Sequence, residues 1–360
     1  MKKTVIFLCI IIVAFLAGIQ SAWYVKSVVS DSVAESEPQE EKVIDDGTVS
    51  LTITAAGDCT FGTDINSAGS GSFDSKVQEL ARDYTYFLKL VKPIFEEDDL
   101  TIVNFEGTLS LGGARADKEF AFRGNPEYVN ILTSSSVEAV NLANNHTRDY
   151  GEVAFADTKS AMTENGILWF EGKNYALTEI NGITVGLIGS KPMTGDLTAE
   201  FSRNLEELKA HNPDLIIASF HWGVESSALP TDLQKKLAHT AIDNGADLII
   251  GHHPHVLQGI EKYKGKYILY SLGNFCFGGN RNPSDKDTMI FKQTFRFNKD
   301  KKLLLEDNVS VIPCSISSDA ERNNYQPMPL AGEEFERVKE KIMQRSLDFI
   351  GIQNIEFIQK

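Results

Sequence analysis

Short apolar runs alternate with longer amphipathic segments along the chain from residue 49 onwards. The apolar runs predict strands at residues 50–56, 100–104, 138–142, 183–189, 214–220, 246–250, 266–271, 288–296 and 303–313. The amphipathic segments predict helices at residues 74–96, 126–134, 151–165, 202–211, 230–244 and 332–349. Alternation of strands and helices is typical of α/β proteins. Asn181-Gly182 lies between two strand-like runs and predicts a hairpin turn, so we expect a sheet system that is not purely parallel.

The N-terminal residues follow a different pattern. Lys2 and Lys3 precede an apolar run over residues 5–19, which predicts an N-terminal membrane anchor or signal segment at residues 1–25. The positive charges place the N-terminus in the cytoplasm and the rest of the chain outside. Because no small-x-small cleavage site follows the run, an uncleaved single pass in the cell membrane is favoured, whereas cleavage would release a secreted protein.

Composition divides the remainder of the chain. Residues 26–48 are acidic and polar and predict a disordered tether, because such a segment buries too little apolar surface to order itself. Residues 49–315 are expected to form the main domain, and residues 316–360 a C-terminal helical extension. The formal net charge of −15 argues against nucleic acid as a partner.

Histidines, carboxylates and amides occur where the apolar runs end. The carboxyl ends of parallel strands meet at one edge of a sheet, so these side chains are expected to lie close together. They are Asp58, Glu106, Asn144, Asn145, His146, His221, His252, His253, His255 and Asn274. Carboxylate, amide and imidazole groups gathered at such an edge predict a metal site.

The segment Gly251-His-His-Pro-His255 is the strongest part of this signal. In extended backbone its His-x-His pair points both rings to one side, and imidazole suits Zn, Mn and Fe ions. Glu106 is able to bridge two metal ions, and the Asn145 amide oxygen is able to ligate one. The adjacent His146 is a candidate to donate a proton to a leaving oxygen.

Two other side chains are candidates for holding substrate. Arg123 is either an anion clamp or an exposed structural arginine. Asn274 closes another strand run and is a candidate to orient a metal ligand or a substrate.

Taken in order, these segments resemble the CapA family of poly-γ-glutamate capsule synthesis proteins over roughly residues 50 to 280. The matching motifs are Gly57-Asp58, Asn104-Phe-Glu106, Asn141-Leu-Ala-Asn-Asn-His146, Asp149-Tyr-Gly151, His221-Trp-Gly223, Gly251-His-His-Pro-His-Val256 and Tyr270-Ser-Leu-Gly-Asn-Phe275. The family is similar to the calcineurin-like metallophosphoesterases. This resemblance implies a metallophosphatase-like αββα sandwich, with two mixed β-sheets flanked by helices.

The resemblance also implies roles for the site residues, around two divalent transition metals of the Mn, Fe or Zn type. The implied roles are Asp58 and His255 at the first metal, Glu106 as the bridge, Asn145, His221 and His253 at the second metal, and His146 as general acid or phosphate-oxygen ligand. Beside these, the expected substrate contacts are Arg123, Asn144, His252 and Asn274. Phosphoesterases usually carry Asp-x-His at the first strand, whereas Asp58-Cys-Thr60 has no histidine. The sequence is therefore compatible both with a hydrolytic metal site and with a metal site that only binds its ligand.

As a function, the resemblance implies a membrane-anchored, extracytoplasmic protein. It would act in the synthesis, export or anchoring of an anionic capsule polymer, poly-γ-glutamate, with the polymer or its membrane synthase complex as partner. Two alternatives remain. One is a surface metallophosphatase or phosphodiesterase unrelated to capsule, and the other is a noncatalytic accessory subunit that binds polymer or partner proteins.

Overall fold

The computed structural model describes residues 47–192, 197–304, 308–349 and 354–360. The part of the chain from Gly47 onwards forms one compact unit. The predicted anchor at residues 1–25 and nearly all of the predicted tether at 26–48 lie outside the described residues. Among the residues that are described, no helix is both long enough and apolar enough to cross a membrane.

Strands and helices alternate through the described residues. The strands are β1 (Val49–Thr60), β2 (Leu100–Phe105), β3 (Thr108–Leu109), β4 (Arg123–Gly124), β5 (Ala139–Asn141), β6 (Leu168–Phe170), β7 (Ala176–Ile180), β8 (Ile183–Ser190), β9 (Leu215–His221), β10 (Leu248–His252), β11 (Ile260–Tyr263), β12 (Lys266–Leu269), β13 (Asn274–Phe277), β14 (Asp287–Phe297), β15 (Leu303–Leu304), β16 (Val309–Ser315), β17 (Met328–Pro329) and β18 (Glu356–Phe357). The α-helices are α1 (Phe73–Glu79), α2 (Lys92–Phe95), α3 (Asn130–Thr133), α4 (Gly151–Glu164), α5 (Leu197–Lys209), α6 (Asp232–Asp243) and α7 (Gly332–Arg345), and short 3-10 helices lie at Ile65–Ser67, Tyr84–Tyr86 and Pro126–Val129.

Two mixed sheets hold most of these strands, and β3 pairs with β4 in a separate two-stranded parallel sheet. The larger sheet follows the order β17-β16-β14-β1-β2-β5-β6, and β13, β15 and β18 pair beside this path. The smaller sheet follows the order β11-β12-β10-β9-β8-β7. Parallel pairs lie at the centre of both sheets, and antiparallel pairs such as β1 with β14 and β7 with β8 make them mixed. The predicted hairpin turn at Asn181-Gly182 joins β7 to β8, with both residues at positive φ.

Apolar side chains fill the space between the two sheets and cover their outer faces. Ile53 of the larger sheet and Ile217 of the smaller sheet belong to the same buried cluster. A second cluster joins the outer face of the larger sheet to α1 and α4, and a third joins the smaller sheet to α5 and α6. The predicted αββα sandwich is therefore confirmed, with helices outside and two sheets inside.

The predicted helix at residues 74–96 is wrong as one continuous element. α1 ends at Glu79, and Ala81 and Arg82 then adopt φ values of 50° and 65°. Left-handed backbone cannot continue a right-handed helix, and the next short helix, α2, begins at Lys92 with Pro93 in its first turn. The segment after residue 315 contributes strands as well as the predicted helix, because β17 and β18 both pair with β16.

The sheet registers bring several strand ends to one place. β1, β2 and β5 are parallel, so Asp58, Asn104 and Asn141 stand at the same edge of the larger sheet. In the smaller sheet, His252 of β10 pairs directly with His221 of β9. These two edges form the site, as the strand-end pattern predicted.

Gly57 sets the close contact between β1 and β13. A Cβ atom at this position would lie 2.1 Å from the Gly273 carbonyl oxygen, while the Asp58 amide donates to that oxygen at 2.9 Å. We expect Gly57→Ala to lower the free energy of unfolding by about 1–3 kcal/mol or more, since the clash is with backbone rather than with a movable side chain. Denaturant unfolding measures the change. Gly112→Ala is the control, because its Cβ would meet nothing closer than 3.7 Å; equal stability of the two variants would contradict the packing argument.

Candidate metal centre

The Asp58 carboxylate is fully buried and lies among imidazole rings. His252 Nδ1 lies 3.1 Å from Asp58 Oδ1, and His255 Nδ1 lies 3.1 Å from Asp58 Oδ2. The His253 backbone amide donates to Oδ2 at 3.3 Å. Burial alone would raise the pKa of Asp58, but its contacts with His252 and His255 hold that pKa well below the usual range. An ionised carboxylate is the form that ligates a metal.

Glu106, directly after β2, is also fully buried. Its Oε1 lies 3.5 Å from His221 Nδ1, but Oε2 has no hydrogen-bond partner among the described residues. Burial, together with the nearby Asp58 carboxylate, raises the pKa of Glu106 to about 8. A buried carboxylate oxygen without a partner is costly unless a cation compensates it. Glu106 therefore fits a bound metal better than it fits an isolated protein interior.

An asparagine network fixes the two carboxylates relative to each other. Asn104 Nδ2 donates to Asp58 Oδ1 at 2.9 Å and to Glu106 Oε1 at 3.2 Å. Asn104 Oδ1 in turn accepts from Asn141 Nδ2 at 3.0 Å and from Asn144 Nδ2 at 3.3 Å. The buried amides thus tie three neighbouring strand ends to the carboxylates.

The second group of donors comes from the smaller sheet and from the loop after β5. His221 Nε2 lies 2.7 Å from Asn145 Oδ1, and the His221 and His253 ring centroids are 4.6 Å apart. His253 Nδ1 is buried and has no hydrogen-bond partner among the described residues. Burial and neighbouring histidines lower the pKa of both His221 and His253. Neutral imidazole is the metal-binding form.

The structure brings all six predicted ligands together and adds a seventh group, the carboxylate of Glu225. Ligand atoms of Asp58, Glu106 and His221 lie within 4.8 Å of one another, and so do those of Glu225, His253 and His255. Glu225 was not predicted, because a single acidic residue in an exposed loop carries no distinguishing pattern. Carboxylate, imidazole and amide donors in this number fit divalent transition metals.

The histidine loop, residues 251–255, has a backbone conformation that differs from the predicted one. His253 and His255 have φ values of 96° and 58°, so the predicted extended backbone is wrong. Their ring centroids nevertheless lie 5.9 Å apart, because the left-handed turn after β10 brings them together. Non-glycine residues adopt this backbone rarely, and such strain is found mainly at functional sites.

His146 stands at the edge of the donor cluster and is held by an acidic partner. Its Nδ1 lies 2.7 Å from Asp149 Oδ2, which also accepts the Phe122 amide at 2.6 Å. Lys118 Nζ donates to Asp149 Oδ1 at 2.8 Å. Burial lowers the pKa of His146. The motif containing Asp149 belongs to the family resemblance, but the contacts of Asp149 and Lys118 with His146 were not predicted.

A cavity of about 230 Å³ opens beside these groups, and we refer to it as the metal-centre cavity. Its lining includes His146, His255, Asn274, Glu225 and Phe122. Asn274 Oδ1 lies 3.0 Å from His255 Nδ1, so this amide orients a predicted metal ligand.

The structure places three of the predicted substrate contacts away from the wall of the metal-centre cavity. Asn144 is buried, and its amide donates to the Phe105 carbonyl while its oxygen accepts the His146 amide, so it shapes the loop. His252 is fully buried behind Asp58 and has no surface to offer a substrate. Arg123 does not line the metal-centre cavity. Its guanidinium lies over the Tyr150 ring at 4.3 Å and lines a separate cavity.

Comparison with known proteins agrees with the family resemblance. A family model described as bacterial capsule synthesis protein PGA_cap matches residues 52–279, a range that contains all six predicted ligands. The PGA biosynthesis protein CapA of Bacillus subtilis (strain 168) is 34% identical over 249 residues, which cover 61% of this chain and 65% of that protein. The capsule biosynthesis protein CapA of Bacillus anthracis is 31% identical over 255 residues, which cover 63% of this chain and 60% of that protein.

The chain thus spans less than two thirds of the length of these two relatives. Among solved structures, a hypothetical protein from Thermus thermophilus matches 73% of this chain and 98% of its own, with a TM-score of 0.43 and 15% identity. The family model covers more than half of the sequence, and its matched range holds the strand-end motifs described above. The chain therefore belongs to the bacterial capsule synthesis protein family PGA_cap.

Proposed function

We propose that this protein acts outside the cytoplasm, as a metal-dependent protein, in the synthesis, export or anchoring of an anionic capsule polymer, with poly-γ-glutamate as that polymer. The metal-dependent part rests on Glu106 Oε2, which is buried without a hydrogen-bond partner in the described part of the chain and lies among six other side chains with metal-ligating groups. The capsule part is supported by family membership and by the names of the two Bacillus relatives. An anchor at residues 1–25 would hold the domain at the membrane, beside a polymer synthase complex.

By the family resemblance, this donor set would hold two metal ions. Asp58 and His255 would hold the first, His221, His253 and Asn145 the second, and Glu106 would reach both. When bound, such ions polarise a substrate oxygen and supply an activated water. His252 Nδ1 lies 3.1 Å from Asp58 Oδ1, so an imidazole from β10 stands beside Asp58 although Asp58-Cys-Thr60 lacks one.

The surrounding side chains would position the substrate and a proton. Asp149 holds the His146 ring at the wall of the metal-centre cavity, where it would donate a proton to a leaving oxygen or bind a substrate oxygen. Phe122 and Phe277 line the same cavity and would limit the access of water. These side chains would thereby orient the substrate in the metal-centre cavity.

A second candidate function is a noncatalytic accessory subunit. It is favoured by Thr60, which stands two residues after Asp58 where a phosphoesterase has histidine. Thr60 Oγ1 is buried and has no hydrogen-bond partner among the described residues. A hydroxyl is a weaker metal ligand than imidazole, so a site built this way would suit binding more than turnover.

Metal content and turnover, measured together on the purified full-length chain, test the proposal. We expect about two divalent transition metals per chain, as in other dinuclear sites, and metal-dependent cleavage of poly-γ-glutamate or of an activated phosphodiester. A protein that contains no metal under metal-replete conditions would contradict the proposed metal-dependent function. Metal without turnover of either compound would favour the accessory subunit, and phosphodiester cleavage without any effect on the polymer would favour a surface phosphatase.

A further inference from the structure

A second cavity, of about 310 Å³, lies on the other side of the segment that walls the metal centre, and we call it the Arg123 cavity. Its lining consists of Thr63, Ile65, Ala68, Asp74, Ser110, Leu111, Arg123, Gly124, Asn125, Tyr128 and Tyr150. None of these residues has a part in the proposed metal centre. The Arg123 cavity is therefore separate from the metal-centre cavity.

Two hydroxyl groups in the Arg123 cavity are buried and unsatisfied. Tyr150 is 3% exposed and Thr63 is 8% exposed, and neither Tyr150 Oη nor Thr63 Oγ1 has a hydrogen-bond partner among the described residues. Burial raises the pKa of Tyr150, and the nearby Ile65 backbone amide only partly offsets this because it does not meet hydrogen-bond geometry. Buried polar groups are normally paired, and a carboxylate held in the cavity would give both hydroxyls an acceptor.

Arg123 gives the cavity its positive charge. The guanidinium stacks on Tyr150 at 4.3 Å and donates one hydrogen bond, from Nη1 to the Gly112 carbonyl at 3.2 Å. Within the described residues it has no carboxylate partner, although the chain is acidic overall. The fixed fork of N–H donors of an arginine suits a carboxylate or a phosphate.

The remaining lining residues favour an organic carboxylate. Ile65 is 58% exposed and Leu111 is 78% exposed, so both offer apolar surface to a ligand. Asp74, which accepts the Tyr128 hydroxyl at 2.7 Å, brings a negative charge that disfavours a multiply charged phosphate. A singly charged carboxylate on a short aliphatic chain matches the charge and the apolar surface together.

The Arg123 cavity and the metal centre are built from adjacent residues. Phe122 and His146 face the metal-centre cavity with ring centroids 4.6 Å apart, whereas Arg123 and Tyr150 face the other cavity. Asp149, the partner of His146, directly precedes Tyr150. Neighbouring Cα atoms are only about 3.8 Å apart, so the two cavities lie on either side of one short piece of backbone.

We propose that the Arg123 cavity is a carboxylate-binding subsite that holds one glutamyl residue of the polymer, with Arg123, Tyr150 and Thr63 as the groups that contact the carboxylate. The identity of the ligand rests on the proposed function, because poly-γ-glutamate carries a free carboxylate on every residue. The subsite itself rests on the unpartnered hydroxyls and on the arginine. It would hold the polymer in register while another residue lies at the metal centre.

Binding of a short γ-linked glutamate oligomer to the full-length chain, measured by calorimetry with and without a metal chelator, tests the subsite. Tyr150→Phe removes one hydroxyl and should weaken binding about tenfold, as expected for a hydrogen bond to a charged group. Arg123→Met should weaken it by more than tenfold, because it removes the charge as well. Both effects should persist in the chelated protein, since no predicted metal ligand lines this cavity. Glutarate and free glutamate, used as further probes, show whether a single carboxylate chain suffices.

Arg148→Met is the matched control. Arg148 also stacks on an aromatic ring, Phe155 at 4.3 Å, and the change removes the same charge, but Arg148 lies outside both cavities. This variant should bind the oligomer as the wild type does. If Arg123→Met does not fold, Tyr150→Phe and Arg123→Lys keep the test decisive. Equal binding by wild type and the Arg123 and Tyr150 variants, or no binding of any probe, would overturn the subsite. The metal-dependent function would be untouched by that result, because it is measured separately by metal content.

Discussion

Replacing Glu106 with glutamine should lower the affinity of the protein for divalent transition metal by at least about 100-fold. The side chain keeps its shape and its contact with Asn104, but loses the charge and one of the two oxygens that face the donor cluster. Removing a residue that only orients a ligand typically lowers metal affinity 10–100-fold, so loss of the bridging carboxylate should have a larger effect. Metal content after dialysis, measured by mass spectrometry, gives the result directly.

Thermal unfolding of the same variant provides a second readout. Added metal should raise the Tm of the wild type, because a ligand that binds the folded state stabilises it, and the rise should be largely lost in Glu106→Gln. At neutral pH the metal-free variant should be at least as stable as the metal-free wild type. Burial raises the pKa of Glu106 to about 8, so folding must keep this carboxyl protonated, and glutamine removes that cost. Glu138→Gln is the control, because Glu138 lies beside β2 and accepts the Thr101 amide at 2.8 Å, away from the cluster. Full metal content in Glu106→Gln would exclude the bridging role.

The strands and the residues proposed as the main metal ligands were predictable because long apolar runs end in polar residues. The prediction of a strand at 214–220 corresponds to β9 at Leu215–His221, and the proposed ligand His221 is the last residue of that strand. Parallel pairing then requires such ends to meet, whatever the loops between them do. The family resemblance supplied the pairing of each residue with a metal, which burial patterns alone do not contain.

The features that were not predicted depend on loops and on tertiary contacts. Ala81 and Arg82 interrupt a helical pattern through backbone angles that neither residue type indicates. Lys118 reaches Asp149 across 31 positions of sequence, and no local pattern records such a contact. Arg123 and Phe122 are neighbours that face different cavities, and sequence alone does not decide which of them faces the metal-centre cavity.

His146→Gln should lower the turnover of whichever substrate the wild type cleaves by about 10²–10⁴-fold, the usual contribution of a positioned acid or base. Its metal content should stay that of the wild type, because His146 lines the cavity and contacts Asp149 rather than Asp58 or Glu106. Glutamine retains a hydrogen-bonding group but cannot carry the proton. Steady-state kinetics, with metal content measured on the same samples, separates this outcome from that of Glu106→Gln.

His239→Gln is the matched control for this prediction. His239 Nε2 also lies beside a carboxylate, 2.9 Å from Glu261 Oε1, and its ring stacks on Tyr263 at a centroid distance of 3.9 Å, but neither cavity includes it. A histidine–carboxylate pair that matters only for stability should give the same small effect at both positions. A large loss of turnover at His146 and none at His239, with full metal in both variants, is therefore the result that assigns His146 to the chemistry. Loss of metal from His146→Gln would make it a ligand, and unchanged turnover would leave it a structural histidine held by Asp149.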